Sequence, residues 1–167
     1  MKRLLIACLT TFVAITSMGA DSLSIRQLFA EMPDSVIPYL TKNNRLDFMD
    51  FMDSNMKAEV TNELGGKSLM TVLSDDSITV RLNESCTLDL LLLDAQQPVD
   101  NVNKVICLVR TFMRDTDMVT SSVAFYSVKW APLPERPMLT DEAEKCLLIR
   151  LKRLNIIESL SKRLNKY

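Results

Sequence analysis

The feature that most constrains this chain is a change of hydrophobic period at Gly65-Gly66. After these glycines, apolar residues recur at every second position, as in Ile78, Val80 and Leu82. Alternation of this kind is typical of β-strands, and short polar turns between such runs join antiparallel neighbours. The sequence therefore predicts an antiparallel meander of about five strands. These strands are expected at residues 69–74, 78–82, 86–93, 105–112 and 119–130.

One of the expected strands differs from the others in its composition. Residues 88–93 are apolar at both parities, with Asp89 as the single exception. A strand of this kind is expected in the centre of a sheet whose two faces are both covered. The next stretch, residues 94–103, contains Pro98 and is predicted to be a loop.

The chain before Gly65 is predicted to be mainly helical. Residues 25–41 fit short helical turns interrupted by prolines, and residues 57–64 fit either a helix or a strand. Between them, Asn43-Asn44 offers an N-cap for an amphipathic helix. The apolar face of that helix is expected to comprise Phe48, Met49, Phe51, Met52 and Met56.

The C-terminal region is expected to cross to a final helix. Pro132, Pro134 and Pro137 favour an extended connection, and Thr140 is placed to cap the helix that follows. The apolar stripe moves to nearly the opposite side after Asn155, which predicts a break there. The first stripe comprises Ala143, Leu147, Leu151 and Leu154, and the second comprises Ile156, Ile157, Leu160 and Leu164.

Together these elements predict an α+β fold. N-terminal helices are expected to pack on a mostly antiparallel sheet of about five strands, with a C-terminal helical segment. We expect residues 21–167 to form a single domain.

Residues 1–20 have the pattern of a signal peptide. Lys2 and Arg3 precede an apolar run, and small residues follow at Ser17 to Ala20. Cleavage is expected near Ala20, with cleavage after Gly19 as the rival. The apolar run is too short to span a bilayer, and no later segment is long and apolar enough, so no transmembrane segment is expected in the mature chain. We therefore expect an exported protein of the periplasm or cell envelope.

The chain has no histidine among its 167 residues. This absence excludes Ser-His-Asp and Cys-His nucleophile systems, which need an imidazole to carry the proton, and zinc sites with His ligands. The formal net charge of −1 disfavours nucleic acid as a partner, because nucleic-acid-binding proteins need strong basic patches.

Several local patterns resemble functional sites but have a structural interpretation that we favour. The acids Asp47, Asp50 and Asp53 spread over a wide arc and are interpreted as a solvated helix face rather than a cation site. Asp75-Asp76 is interpreted as a turn. The run Gly65 to Ser68 lacks the upstream glycine of a phosphate-binding loop. No catalytic, cofactor-binding or metal-binding residue is assigned.

The cysteines and the basic tail leave alternatives open. Cys86 and Cys107 could form a disulfide if their strands are neighbours, but with Cys146 they are interpreted as three small buried hydrophobic residues. The basic C-terminal residues are interpreted as a solvated helix face, with contact to an anionic surface as the alternative. They are Lys145, Arg150, Lys152, Arg153, Lys162, Arg163 and Lys166.

Several blocks resemble an uncharacterised family of secreted Bacteroidetes proteins that is known only as a domain of unknown function. The most specific block is Asn43-Asn44-Arg45-Leu46-Asp47, and the resemblance covers about residues 25–130. It implies a Gram-negative envelope setting and no activity. The other blocks are Met32-Pro33-Asp34-Ser35, Ala58-Glu59-Val60-Thr61-Asn62, Leu64-Gly65-Gly66-Lys67-Ser68 and Leu73-Ser74-Asp75-Asp76.

From these observations we expect a non-catalytic envelope or periplasmic protein that binds a protein or glycan partner. The alternative is a carboxylate-dependent hydrolase acting on glycans, because such enzymes need two acids and no histidine. A third possibility is a structural subunit with an exposed apolar patch, which would be the face carrying Met49, Met52 and Met56 if that face is not part of the core. The candidate acids of the hydrolase are Asp47, Asp50, Asp75, Asp76 and Asp89.

Overall fold

A computed structural model describes residues 23–114 and 117–153 of the chain. The expected signal peptide and the break at Asn155 lie outside the described residues and stay predictions. The helices are α1 (Ile25–Ala30), α2 (Lys42–Asp53) and α3 (Asp141–Arg153). The strands are β1 (Glu59–Thr61), β2 (Lys67–Leu73), β3 (Ser77–Asn83), β4 (Cys86–Val99), β5 (Val102–Arg114) and β6 (Asp117–Tyr126).

The strands form one six-stranded sheet in the order β1 to β6, and every neighbouring pair is antiparallel. The predicted α+β class and the meander are confirmed, but the predicted number of strands is one too low. The additional strand is β1, which lies in the ambiguous stretch 57–64 and pairs Val60 with Ser68. The turn between β1 and β2 places Gly65 at a φ of +76°, a conformation that glycine adopts without steric cost.

Strand β4 is covered on both faces, as predicted. Leu88, Leu90 and Leu92 belong to a core shared with α1 and α2, whereas Leu91 and Leu93 belong to a second core shared with α3. Because successive side chains of a strand point to opposite faces, the nearly unbroken apolar run supplies both cores. The sheet is therefore the middle layer, with helices on each side.

The predicted loop at 94–103 is wrong, since β4 and β5 continue through it as a long hairpin. Asp100 and Asn101 form its tip with φ values of 53° and 65°, the left-handed region that asparagine and aspartate tolerate. Pro98 is accommodated because the pairing shifts register between Asp94 and Val99. The proline therefore removes no hydrogen bond from a regular ladder.

Helix α2 begins earlier than predicted. Its N-cap is Thr41, whose hydroxyl accepts from the Asn44 amide while the Asn44 side chain accepts from the Thr41 amide. This reciprocal pair is a capping box, and it replaces the predicted Asn43-Asn44 cap. The predicted inward face is correct at Phe48 and wrong at Met56, which follows the end of the helix and is 54% exposed.

The last expected strand ends at Tyr126 rather than Trp130. A turn follows in which the Trp130 amide donates to the Ser127 carbonyl oxygen at 2.9 Å, and Trp130 adopts a φ of 64°. Helix α3 agrees with its prediction within the described residues. The Thr140 hydroxyl accepts from the Ala143 amide at 3.3 Å, and Ala143, Leu147 and Leu151 are buried.

Candidate functional site

The candidate site is a groove of about 630 Å³ on the sheet face that α1 and α2 cover. One wall is the segment 33–39 between these helices, and the floor is formed by β4 and β5. The end of β6 and the turn after it close the groove at one side. The lining residues are Pro33, Ser35, Val36, Ile37, Pro38, Tyr39, Cys86, Arg110, Phe112, Tyr126, Trp130 and Pro132.

Arg110 is the one charged residue among the described residues that line the groove. It lies on β5 between Leu88 of β4 and Ser122 of β6, at the parity that faces α1 and α2. Its guanidinium donates a hydrogen bond to the backbone carbonyl of Val36, which joins the floor of the groove to its wall. A guanidinium has five N–H donors, so this bond leaves capacity for a ligand.

A second arginine, Arg45 of α2, fixes the wall of the groove at both ends. Its guanidinium donates to the carbonyl oxygen atoms of Met32 and Leu40, each at 2.6 Å, and to the Asp34 carboxylate at 3.0 Å. The Arg45 side chain is 2% exposed, so it acts inside the protein and not on the ligand. Because Met32 and Leu40 bracket the segment 33–39, Arg45 closes that segment into a loop of defined shape.

Aromatic residues form the end of the groove near β6. The rings of Tyr126 and Trp130 lie 5.5 Å apart at an angle of 54°. The Trp130 indole donates to the Leu28 carbonyl oxygen of α1 at 3.0 Å, which fixes the ring against the first helix. Phe112 is 40% exposed on the floor, so it offers apolar surface to a ligand.

The two titratable groups nearest Arg110 are held in their neutral forms. Burial raises the pKa of the Cys86 thiol, and the positive charge of Arg110 only partly opposes this effect. Burial also raises the pKa of the Tyr39 phenol, with the same opposing influence of Arg110. Cys86 is therefore a thiol near neutral pH and a poor nucleophile.

The acids proposed for a hydrolase do not lie in the groove. Asp47 and Asp50 are exposed on α2, and Asp75 and Asp76 are exposed in the turn between β2 and β3. Asp89 faces the opposite side of the sheet, in the core below α3. The second described cavity, of about 110 Å³, contains only one carboxylate, that of Asp76. Neither of these two cavities therefore brings two of these acids together among its described lining residues.

Asp89 instead takes part in a structural cluster. Its carboxylate accepts from the Thr79 hydroxyl at 2.7 Å and forms an ion pair with Arg150 of α3 at 3.0 Å. Arg150 also donates to the Thr79 hydroxyl at 2.7 Å. The cluster connects α3 to β3 and β4, so Arg150 belongs to the packing of α3 and not to a free basic face.

The remaining sequence candidates have structural roles or lie outside the described residues. Asp53 is bound by Arg26 at 2.8 Å, and its pKa is lowered by that hydrogen bond. Asn62 organises the glycine turn by accepting from the Leu64 and Gly66 amides. Across residues 23–114 and 117–153, no cluster of acids and cysteines is arranged to hold a metal ion. Of the basic tail, the side chains from Lys152 onward lie outside the description.

The cysteines are predicted to be buried, and this prediction is correct at two of the three positions. Cys86 and Cys107 are buried and free, and burial raises the pKa of the Cys107 thiol to about 12. They belong to the two different cores, on opposite faces of the sheet, so they are not bridged. Cys146 is wrongly predicted to be buried, because it is exposed on α3.

Neither arginine of the site is predicted from the sequence. Arg110 interrupts an otherwise apolar face of β5 that includes Ile106 and Leu108, and a lone cation on such a face was the available signal. Arg45 had no comparable signal, since two of its three partners are backbone carbonyl groups. None of the described helices is both long and apolar enough to cross a membrane.

The fold and the groove define an α+β domain in which an antiparallel meander, covered by helices on both faces, has an arginine in an aromatic groove. Residues 16–162 match the model of a family described as "Protein of unknown function (DUF3256)", and the chain belongs to this family. The match extends at both ends beyond residues 25–130, the range that the resemblance in the sequence covers.

Among solved structures, the fold is similar to a domain of an uncharacterized protein from Porphyromonas gingivalis W83. The TM-score is 0.52 at 22% sequence identity, and the likeness covers 65% of this chain. It covers 52% of the other chain, so the likeness spans about half of the solved chain. No curated protein matches the chain.

Proposed function

We propose that this protein is an exported, non-catalytic binding protein of the cell envelope, and that the groove around Arg110 is its ligand site. The observation that carries the proposal is the make-up of the groove, which combines aromatic surface with one cation and no carboxylate among its described lining. Its volume of about 630 Å³ lies within the range of ligand sites in proteins. Export is supported by the pattern of residues 1–20.

The same make-up argues against turnover in the groove. A glycoside hydrolase of the usual kind needs two carboxyl groups that flank the scissile bond, and the described lining of the groove offers none. The Cys86 thiol is kept neutral by burial. The described groove therefore supplies surface and charge for binding, and no proton donor and acceptor pair for glycoside cleavage.

The preformed wall further supports a binding role. Arg45 and Arg110 tie the segment 33–39 to α2 and β5 through hydrogen bonds, so the groove exists before a ligand enters. A preorganised site loses less conformational entropy on binding than a flexible one. The loop therefore serves as a rigid wall and not as a closing lid.

The test is co-sedimentation of the purified protein with native envelopes from a Bacteroidetes bacterium. We expect retention of the wild type and loss of retention in Phe112→Asp, which removes apolar surface from the groove floor and places a carboxylate beside Arg110. Leu64→Asp is the matched control, because Leu64 is 74% exposed outside the groove. Protease treatment of the envelopes distinguishes the two kinds of partner. If the partner is a protein, the treatment abolishes retention of the purified protein; if it is a glycan, the purified protein is still retained.

Two results would contradict the proposal. Equal retention of the wild type and Phe112→Asp would place binding elsewhere. Release of reducing ends from the envelope glycan, abolished by a single acid substitution such as Asp76→Asn, would establish the hydrolase instead.

A further inference from the structure

We infer that the ligand of the groove is an acidic glycan, bound through the carboxylate of a sugar acid to the guanidinium of Arg110. This inference rests on the proposed function and specifies the ligand class of the same site. Its basis is the charge of the groove, the hydrogen-bonding groups of its lining and the position of its aromatic rings.

The first basis of the inference is the charge of the groups around Arg110. The described lining contains no acid to neutralise it, and its Val36 partner is a neutral carbonyl group. The one acid of the wall segment 33–39 is Asp34, which is not among the described lining residues and whose carboxylate is bound by Arg45. A half-buried guanidinium without a counter-ion favours an anion, and carboxylate geometry matches its parallel N–H donors.

The single positive charge of Arg110 also favours a ligand with a single negative charge. One cation is neutralised by one monoanion, such as a carboxylate. A phosphate monoester carries nearly two negative charges at neutral pH and would bring an unpaired charge into a largely apolar groove. The groove therefore favours a sugar acid over a sugar phosphate.

The other polar groups of the lining suit a sugar better than a peptide. Ser35, Tyr39 and Tyr126 carry hydroxyl groups, which both donate and accept hydrogen bonds as sugar hydroxyls do. The described strands β4 and β5 are paired on both sides, so the floor of the groove offers side chains and no free backbone edge to an extended peptide. Phe112 and Tyr126 supply apolar ring surface for the C–H face of a sugar.

The experiment compares methyl glucuronide with methyl glucoside, which has the same ring without the carboxylate. Each is titrated into the ¹⁵N-labelled protein while the Arg110 side-chain signal and the amide signals of the groove are followed by NMR. We expect methyl glucuronide to bind with a millimolar dissociation constant, as is usual for so small a ligand. Methyl glucoside is expected to bind at least about tenfold more weakly.

Three variants connect the effect to the guanidinium. Arg110→Gln is expected to lose the preference for glucuronide over glucoside. Arg110→Lys keeps the charge but is expected to lose part of the affinity for glucuronide, because an ammonium group cannot make the bidentate contact of a guanidinium. Arg81→Gln removes the same charge from an exposed position on β3 and is expected to bind as the wild type does. Arg110→Lys also keeps the test valid if Arg110→Gln fails to fold.

The possible failures are distinguishable. Equal binding of both sugars, or unchanged glucuronide binding in the Arg110 variants, would overturn the acidic-glycan inference and leave a binding groove. Tighter Arg110-dependent binding of the dipeptide N-acetyl-Gly-Phe than of glucuronide would overturn the glycan class in favour of a peptide carboxylate. No response to either sugar, with envelope retention unaffected by Phe112→Asp, would overturn both the inference and the proposed function.

Discussion

Arg110 of β5 donates a hydrogen bond from its guanidinium to the backbone carbonyl of Val36, 74 positions earlier in the chain. This bond joins the sheet to the connection between α1 and α2, and the groove lies where the two meet. The same side chain therefore shapes the wall and supplies the charge of the candidate site. The predictions below begin with the residues that build this arrangement.

The first prediction concerns the stability that Arg45 gives to the groove wall. Arg45→Met keeps much of the side-chain volume but leaves the carbonyl groups of Met32 and Leu40 without their donor. Loss of these buried bonds is expected to lower the free energy of unfolding by about 3 kcal/mol, measured by urea denaturation. Asp34→Asn is the control and should cost less, about 1 kcal/mol, because the Asp34 side chain is 66% exposed and an amide oxygen can still accept a hydrogen bond from Arg45. A near-neutral Arg45→Met would contradict this account.

The second prediction compares the substitution of threonine by valine at two positions on the sheet face that α3 covers. Thr79→Val removes a hydroxyl that bonds both Asp89 and Arg150, and it should cost about 1–3 kcal/mol of unfolding free energy. Thr111→Val removes a buried hydroxyl that has no hydrogen-bond partner among the described residues, so it should be neutral or stabilising by up to about 1 kcal/mol. Thermal or urea unfolding of both variants checks this ordering. Equal costs would show that the cluster around Asp89 does not stabilise the packing of α3.

The third prediction concerns thiol reactivity. Cys146 is exposed and should be alkylated by iodoacetamide in the native protein, whereas Cys86 and Cys107 should react only after unfolding. Burial hinders access to both buried thiols, and it also raises their pKa, that of Cys107 to about 12. Peptide mapping by mass spectrometry, before and after denaturation, gives the order. Rapid native labelling of Cys86 would mean that the groove floor is more open than described.

The fourth prediction is a pH dependence that Arg26 imposes. Its hydrogen bond lowers the pKa of Asp53 from the ordinary value of 3.8, so folding favours the ionised carboxylate. The resulting stabilisation is present above that ordinary value and is lost as the pH falls through the lowered one. The difference in unfolding free energy between the wild type and Arg26→Gln should therefore shrink between about pH 5 and pH 2, measured in urea. A difference that stays constant across this range would contradict the assignment.

The sheet was largely predictable because alternation is a local signal. Ile78, Val80 and Leu82 all face the first core, as their spacing indicates. Local signals are less reliable at the boundaries between elements. Residues 94–103 are predicted to be a loop, although Asp100 and Asn101, two residues that tolerate positive φ, mark the tight turn of a hairpin.

The site was not predictable for a different reason. Arg45 and Arg110 act through backbone carbonyl groups, which every residue carries, so nothing in the sequence identifies their partners. The groove also depends on contacts between distant segments, such as the bond from Trp130 to Leu28. Hydrophobic periodicity describes the faces of single elements and contains no information on such contacts.

The most direct test of the groove as the ligand site is site-specific photocrosslinking in envelopes. A benzophenone amino acid replaces Phe112 in the groove and, as a control, Leu64 at 74% exposure outside it. After irradiation, intact-mass spectrometry records any added mass on the purified protein. A discrete adduct at position 112 that is absent at position 64 is the result that a ligand-binding groove predicts. Equal labelling at both positions, or none at position 112, would contradict it.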